Sequence, residues 1–380
     1  MRIIIAPDSF KGSLSAACAA EIISRACRRV FEGCETVCMP VADGGEGTLE
    51  AIVSAAGGEY VHCNVTGPLW QHVEAAYGLI DGGKTAVIEM AQATGITLAQ
   101  PGDPVNATSY GTGELIRRAI DGGAERLLVG IGGSATNDGG MGMLSALGAV
   151  FRDERGGVLR GCGGDLEKVA SVDASALPKA NITVICDVTN PLLGANGATN
   201  VYGPQKGAEG ELKERLEAGM ANYARVMRAA GFADCGFSGA GAAGGVGYAL
   251  GGVMGARLLP GIDAVLDDVG FDRALEGADM VLTGEGRLDS QSVRYGKVPV
   301  GVARRCRAAG IPVIAIAGSL GAGAEEYLNE GMTSMETLAN GPLTLEYAMK
   351  HAGVLLEAAA VRALSSVKCG MRISERRDKR

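Results

Sequence analysis

Met1-Arg-Ile-Ile-Ile-Ala-Pro-Asp-Ser-Phe-Lys11 opens with an apolar, β-branched run and breaks at Pro7-Asp8 into a short polar loop. From Leu14 an apolar residue then returns every four positions, at Cys18, Ile22 and Ala26, which is the period of a helix laid on one face. The segment therefore reads as strand, loop, helix. The same unit follows at once, with a strand at Thr36 to Val41, a loop at Asp43 to Thr48 and a helix at Leu49 to Ala56. Strands alternating with helices predict an α/β domain built on a parallel sheet.

Beyond Glu59 the pattern changes. Tyr60 to Val65, Val73 to Ile80 and Thr85 to Met90 are short runs separated by turns, and predict an antiparallel hairpin region. The alternation then resumes with a helix at Gly113 to Ile120, a strand at Arg126 to Gly130, a helix after Gly132 to Gly142 and a strand at Ile182 to Cys186. Glu209 to Gly231 reads as a charged helix. Ser238 to Ala256 carries no charge, but it is too rich in glycine for a membrane span and predicts a tightly packed soluble segment. Strands at Met280 to Thr283 and Val313 to Ala317 flank a helix at Lys297 to Ala309, a right-handed crossover by default. A long helix at Thr344 to Lys368 and a frayed charged tail, Arg372 to Arg380, close the chain.

A length of 380 residues exceeds what one core usually supports, so two domains are expected, interleaved rather than in tandem. One comprises 1–57, 98–190 and 275–380 and is Rossmann-like, with a mostly parallel sheet; the other, smaller, comprises 58–97 and 191–274, with mixed or antiparallel strands. A net charge of -8 argues against a broad electrostatic grip on nucleic acid or an anionic membrane, and favours a small-molecule partner. The apolar run Ile3 to Ala6 is too short for a secretory signal, which predicts a cytoplasmic protein. Ten cysteines without a C-x-x-C pair predict mostly buried free thiols, and three histidines without ligand spacing leave no histidine metal site.

Glycine supplies 60 residues, about 16% against a usual value near 7%, and clusters with Asp, Ser, Thr and Asn between apolar runs. Two generic patterns need weighing. Gly78-Leu-Ile-Asp-Gly-Gly-Lys84-Thr85 fits the P-loop expression, but Ala86-Val87-Ile88 continues as a strand where a P-loop needs a helix, so a hairpin turn fits better. Gly239-Ala-Gly241-Ala-Ala-Gly244 lacks a preceding strand. Gly130-Ile-Gly132-Gly133-Ser134-Ala135 does follow one, and with Asp153 or Glu154 as the downstream acid it leaves a dinucleotide reading open.

Four loops place Asp, Lys or Ser beside glycine at strand ends: Asp8 to Lys11, Asp43 to Thr48, Gly132 to Gly140 and Gly284 to Asp289. One such loop is a capped turn; four at the carboxyl ends of sheet strands fit a polyanion site. Phosphoryl transfer needs this set of groups, namely amides and cations on phosphate oxygens, carboxylates for Mg²⁺ and a carboxylate for the attacking hydroxyl.

Ile4 to Lys11, Pro40-Val-Ala-Asp-Gly-Gly-Glu-Gly-Thr48, Gly130 to Gly140, Cys186-Asp-Val-Thr-Asn-Pro191, Gly203-Pro-Gln-Lys-Gly-Ala208 and Thr283-Gly-Glu-Gly-Arg-Leu-Asp-Ser-Gln291 resemble, in order, the signature stretches of the bacterial glycerate kinase family. The link Ser292 to Lys297 departs from the family pattern. The resemblance implies ATP-dependent, Mg²⁺-assisted phosphorylation of D-glycerate to 2-phosphoglycerate, with 3-phosphoglycerate as the alternative product. It also implies two α/β domains with the active site in the cleft, and a homodimer is the candidate assembly. The roles carried over are as follows. Lys11, or alternatively Lys206 or Lys297, pairs with phosphate or the glycerate carboxylate. Asp43 or Asp187 is the base, and Asp289 with Glu285 holds Mg²⁺. Asp8, Ser9, Gly44, Gly45, Glu46, Gly132, Gly133, Ser134, Thr136, Asn137, Asp138, Gly284, Gly286 and Arg287 line the substrate and phosphate site. The competing readings are an exposed turn residue for Lys206 and Lys297, a cap for Asp187, and for the whole chain a nicotinamide-dependent hydroxy-acid dehydrogenase or a non-catalytic nucleotide- or metabolite-binding protein.

Overall fold

The computed structural model describes residues 1–294 and 296–377. Its strands, in chain order, are β1 (Arg2–Pro7), β2 (Glu35–Cys38), β3 (Glu59–Thr66), β4 (His72–Ile80), β5 (Thr85–Glu89), β6 (Arg126–Gly130), β7 (Val150–Arg152), β8 (Ser171–Asp173), β9 (Asn181–Ile185), β10 (Arg257–Leu259), β11 (Met280–Leu288), β12 (Val313–Leu320) and β13 (Ser334–Thr337). The chain forms two compact units: 1–43 with 50–56 and 261–380, and 44–49 with 57–260.

In the first unit five parallel strands lie in the order β13-β12-β11-β1-β2. Ile3 and Ile5 of β1 and Met280 and Leu282 of β11 pack with Ala19, Ile22, Ile23 and Ala26 of the helix Ala16–Val30 and with Leu356, Ala360 and Leu364 of the helix Ala352–Arg377. Ser15 caps the first of these helices by accepting from the Cys18 amide, and Arg28 and Arg29 oppose the dipole at its other end. The buried stripe runs through Ala19, Ile22, Ile23 and Ala26, and Cys18 is exposed.

In the second unit six strands lie in the order β10-β9-β6-β5-β4-β3. The β10, β9, β6 and β5 neighbours are parallel, whereas β5-β4-β3 is the expected antiparallel meander. The turn Asp81–Gly83 joins β4 to β5, so the P-loop-like stretch is a hairpin. β7 and β8 pair as a separate small sheet.

The division of the chain differs from the expected one. Segment 98–190 belongs to the second unit, which is the larger, because β6 pairs with β5 and β9 with β6, and both strands carry apolar faces of that sheet. Periodicity alone assigns a parallel strand to no particular sheet. β11 also runs on to Leu288, through positions expected as loop, by pairing Arg287 with Ser319 and Leu288 with Leu320 of β12. The terminal helix is broken: Leu345–Lys350 ends at His351, and Ala352–Arg377 continues beyond Arg372, where a frayed tail is expected. The tail residues 378–380, and residue 295 in the link that departs from the family pattern, lie outside the described residues.

Only Cys27 and Cys306 are buried; Cys18, Cys38 and Cys369 are exposed, and the other five are half-buried, all as free thiols. Among the described residues no helix is long and apolar enough to cross a membrane.

Candidate active site

The register of the parallel sheet brings the first group of residues together. Pro7 pairs with Gly284, the Asp8 amide donates to the Gly284 carbonyl at 2.8 Å, and the Val41 amide donates to the Pro7 carbonyl at 3.1 Å. The carboxyl end of β1, the middle of β11 and the chain after β2 therefore lie side by side. Asp8 follows β1, Glu285 lies within β11 and Asp43 on the chain after β2; the charges of Asp43 and Glu285 act on Asp8, and that of Asp43 on Glu285.

Asp8 is 4% exposed, and its carboxyl is pushed up to about 8, first by burial and then by the charge of Asp43, with a smaller push from Glu285. The Ser9 amide, donating to Oδ1 at 2.6 Å, and Lys11 pull the other way. Burial likewise pushes Glu285 up to about 7, opposed by Lys297 and by the Tyr327 hydroxyl, which donates to Oε1 at 3.3 Å, and reinforced by Asp43. Two buried carboxyls that feel each other's charge favour protonated forms or a cation beside them. Lys11 is exposed and Lys297 half-buried at the rim.

Asp289 is held differently. Its Oδ1 accepts from the Gln291 and Ser292 amides at 3.1 Å each, capping the short helix Ser290–Arg294, and Oδ2 pairs with Arg287 Nε at 3.1 Å. The Ser292 amide leads in holding its carboxyl below the usual range. Both oxygens of Asp289 thus have donors within the protein. Among the described residues no three His, Cys, Asp or Glu side chains are grouped to hold a metal ion by themselves.

The second group belongs to the mixed-sheet unit and is buried. Lys206 is 2% exposed, not the surface turn residue its neighbours Gly203-Pro204 and Gly207 suggest; Nζ donates to Ser134 Oγ at 2.8 Å and to the Thr136 carbonyl at 2.7 Å. Burial pushes its ammonium down to about 7, against a small lift from Asp138. Asp138 is fully buried: Oδ2 accepts from the Ser109 amide and hydroxyl, both at 2.7 Å, and from the Gly142 amide, and Oδ1 accepts from the Gly140 amide. Asn137 Nδ2 donates to Thr199 Oγ1.

The amides of this glycine-rich loop are largely engaged within the protein. Gly132 donates to the Gly44 carbonyl, Ala135 to Thr94 and Gly139 to Gly244. A Cβ on Gly132 would lie 2.6 Å from the Gly45 Cα, and one on Gly244 2.0 Å from the Thr136 carbonyl oxygen. Glycine is abundant here because three backbones cross in contact. The loop Gly44 to Leu49 is the strand of chain that the second unit takes from the midst of the first, and Glu46 is exposed on it.

Asp187 is half-buried just past β9. Asp153 instead accepts from the Arg155 and Gly157 amides in the turn after β7, within the small separate sheet, which removes the acid a dinucleotide site needs at the end of a main-sheet strand. Sequence reading missed Glu89 and Ser109. A carboxylate ending the wholly buried run Thr85–Glu89 was the available signal for the first.

Carboxylates and lysines gathered about the carboxyl end of β1 stand where open α/β sheets bind their ligands. The model of the glycerate kinase family matches residues 3–368. A glycerate kinase of Bacillus subtilis (strain 168) is 45% identical over 97% of this chain and 98% of its own. A glycerate 2-kinase of Escherichia coli (strain K12) is 46% identical over 84% of this chain and 86% of its own. The crystal structure of a Salmonella typhimurium LT2 protein described as glycerate kinase 2 superposes with a TM-score of 0.88 at 45% identity, covering 98% of this chain and 99% of that one. The chain belongs to the glycerate kinase family, and it is a kinase.

Proposed function

We propose that this kinase transfers the γ-phosphoryl group of Mg²⁺-ATP to D-glycerate, giving 2-phosphoglycerate and ADP. The observation that carries the reading is that Asp8, just past β1, and Glu285, within β11, are buried under the charge of Asp43, with Lys11 acting on Asp8 and Lys297 on Glu285. The position of the phosphate on glycerate follows the name of the Escherichia coli relative, a glycerate 2-kinase.

In this reading Asp43 accepts the proton of the 2-hydroxyl as its oxygen bonds to the γ-phosphorus, and the bond from that phosphorus to the β,γ-bridging oxygen breaks in line, leaving ADP. Lys11 and Lys297 neutralise the transferred phosphoryl oxygens. Asp8 and Glu285 would hold Mg²⁺, whose chemistry is neutralisation of phosphate charge. The test is ADP release coupled to D-glycerate, followed by phosphorus NMR of the product. A 2-phosphoglycerate signal supports the full reading, a 3-phosphoglycerate signal moves only the acceptor hydroxyl, and no glycerate-dependent turnover from folded enzyme overturns it.

A further inference from the structure

Glu89 ends the buried strand β5 and is itself 1% exposed. Its Oε2 accepts from two amides of one loop, Gly47 at 3.1 Å and Leu49 at 3.0 Å. The other oxygen, Oε1, has the Gln92 side chain near it and no hydrogen bond within 3.5 Å. A buried carboxyl that spends one oxygen on two amides and leaves the other unbonded is a costly way to finish an apolar strand. The cost has a structural return only in the shape of the loop it holds.

That loop is gripped at both ends of its glycine run. At the first end the Gly132 amide donates to the Gly44 carbonyl at 3.0 Å, and a Cβ on Gly44 would lie 2.8 Å from the Ile185 carbonyl oxygen, so the backbone rests directly on the end of β9. At the second end stands Glu89. Between them Gly44 and Gly47 hold φ of +93° and +91°, conformations with little intrinsic preference for one loop shape. A loop this rich in glycine needs outside partners to have a single conformation, and the residue joined to its first glycine is Asp43.

We infer that Glu89 is a positioning residue for phosphoryl transfer, fixing the Gly44 to Leu49 loop and through it the placement of Asp43. The inference rests on the glycerate kinase reading for its catalytic half and on geometry alone for its structural half. Because burial pushes the Glu89 carboxyl up, glutamine is a close mimic that keeps an acceptor at the same place.

The experiment compares Glu89→Gln, Glu89→Ala and Glu89→Asp in the full-length enzyme, by steady-state kinetics with Mg²⁺-ATP and D-glycerate and by hydrogen exchange of the peptide spanning residues 43–52. Expected are E89Q within about threefold of the parent in kcat, and E89A lower by about tenfold to a hundredfold in kcat with little change in either KM, since a shift of about 1 Å costs this much. The loop amides should exchange at least about tenfold faster in E89A and as in the parent in E89Q. E89D, which keeps the charge but withdraws the acceptor, should resemble E89A and serves where E89A does not fold. E89A with parental turnover and parental exchange overturns the inference. So does E89Q as damaged as E89A, which would give the charge itself a role. If the parent does not phosphorylate glycerate, the function reading fails while the exchange data still decide whether Glu89 holds the loop.

Discussion

Two buried polar clusters sit at the carboxyl ends of two sheets, and they are opposites. Both oxygens of Asp138 have donors: two amides and the Ser109 amide and hydroxyl converge on that one carboxylate, and Lys206 is tied to Ser134 and Thr136. Around Asp8 three carboxylates repel one another, and burial raises two of them far from their ordinary values. Both stretches are built of glycine beside polar residues and look alike as words. A carboxylate met by donors holds backbone crossings in place, whereas like charges gathered where water is scarce store electrostatic free energy that a cationic ligand would relieve.

The sharpest way to break this contrast is Asp43→Asn, which should lower glycerate-dependent kcat by about 10²–10⁴-fold with ligand affinity nearly unchanged, as titration calorimetry would read. Parental turnover would remove Asp43 from the mechanism. Asp138→Ala should cost about 3–5 kcal/mol in denaturant unfolding, since four buried donors lose their acceptor. Gly244→Ala should cost about 2–3 kcal/mol, because φ is +67° and the new methyl meets the Thr136 carbonyl.

The two clusters also titrate with opposite signs. Asp8 is raised from 3.8 to about 8, so the native state holds its proton longer than the unfolded chain, and stability falls as pH climbs through that window. Lys206 is lowered from 10.5 to about 7, so its share of stability is lost as pH falls from above 10 toward 7. Asp8→Asn should therefore raise the unfolding free energy at pH 8 by more than ~1 kcal/mol and leave it nearly unchanged at pH 4. An equal effect at both pH values would mean that Asp8 is not raised. The smallest effect is expected at Asp289→Ala, about 1 kcal/mol from a lost helix cap with kcat within about threefold, checked by thermal melts and the same assay. A collapse of turnover there would return Asp289 to the chemistry.

The strand-loop-helix opening, the β3-β4-β5 meander and three of the four glycine loops were legible because each is written in a local period or a local word, whereas Gly284 to Leu288 continues β11 by pairing with β12. The rejection of the P-loop at Lys84 was legible for the same reason, since Ala86 to Ile88 cannot start a helix face. Less legible was which carboxylate does what. Asp289 and Glu285 stand four residues apart in one word, yet one caps a helix and pairs with Arg287 while the other is buried beside Asp8 and Asp43. Lys206 looked like a turn residue because burial is a property of neighbours far along the chain, here Ser134 and Thr136.

By itself the sequence determined the class of fold, the family and the candidate words of the site, all of which depend on short-range pattern. Tertiary structure alone decided that 98–190 joins the mixed sheet, that Gly44 to Leu49 crosses into that unit, and that Glu89 holds it. Strand partners, burial and the charges felt by a carboxyl are set by residues distant in sequence, and only the folded chain brings those together.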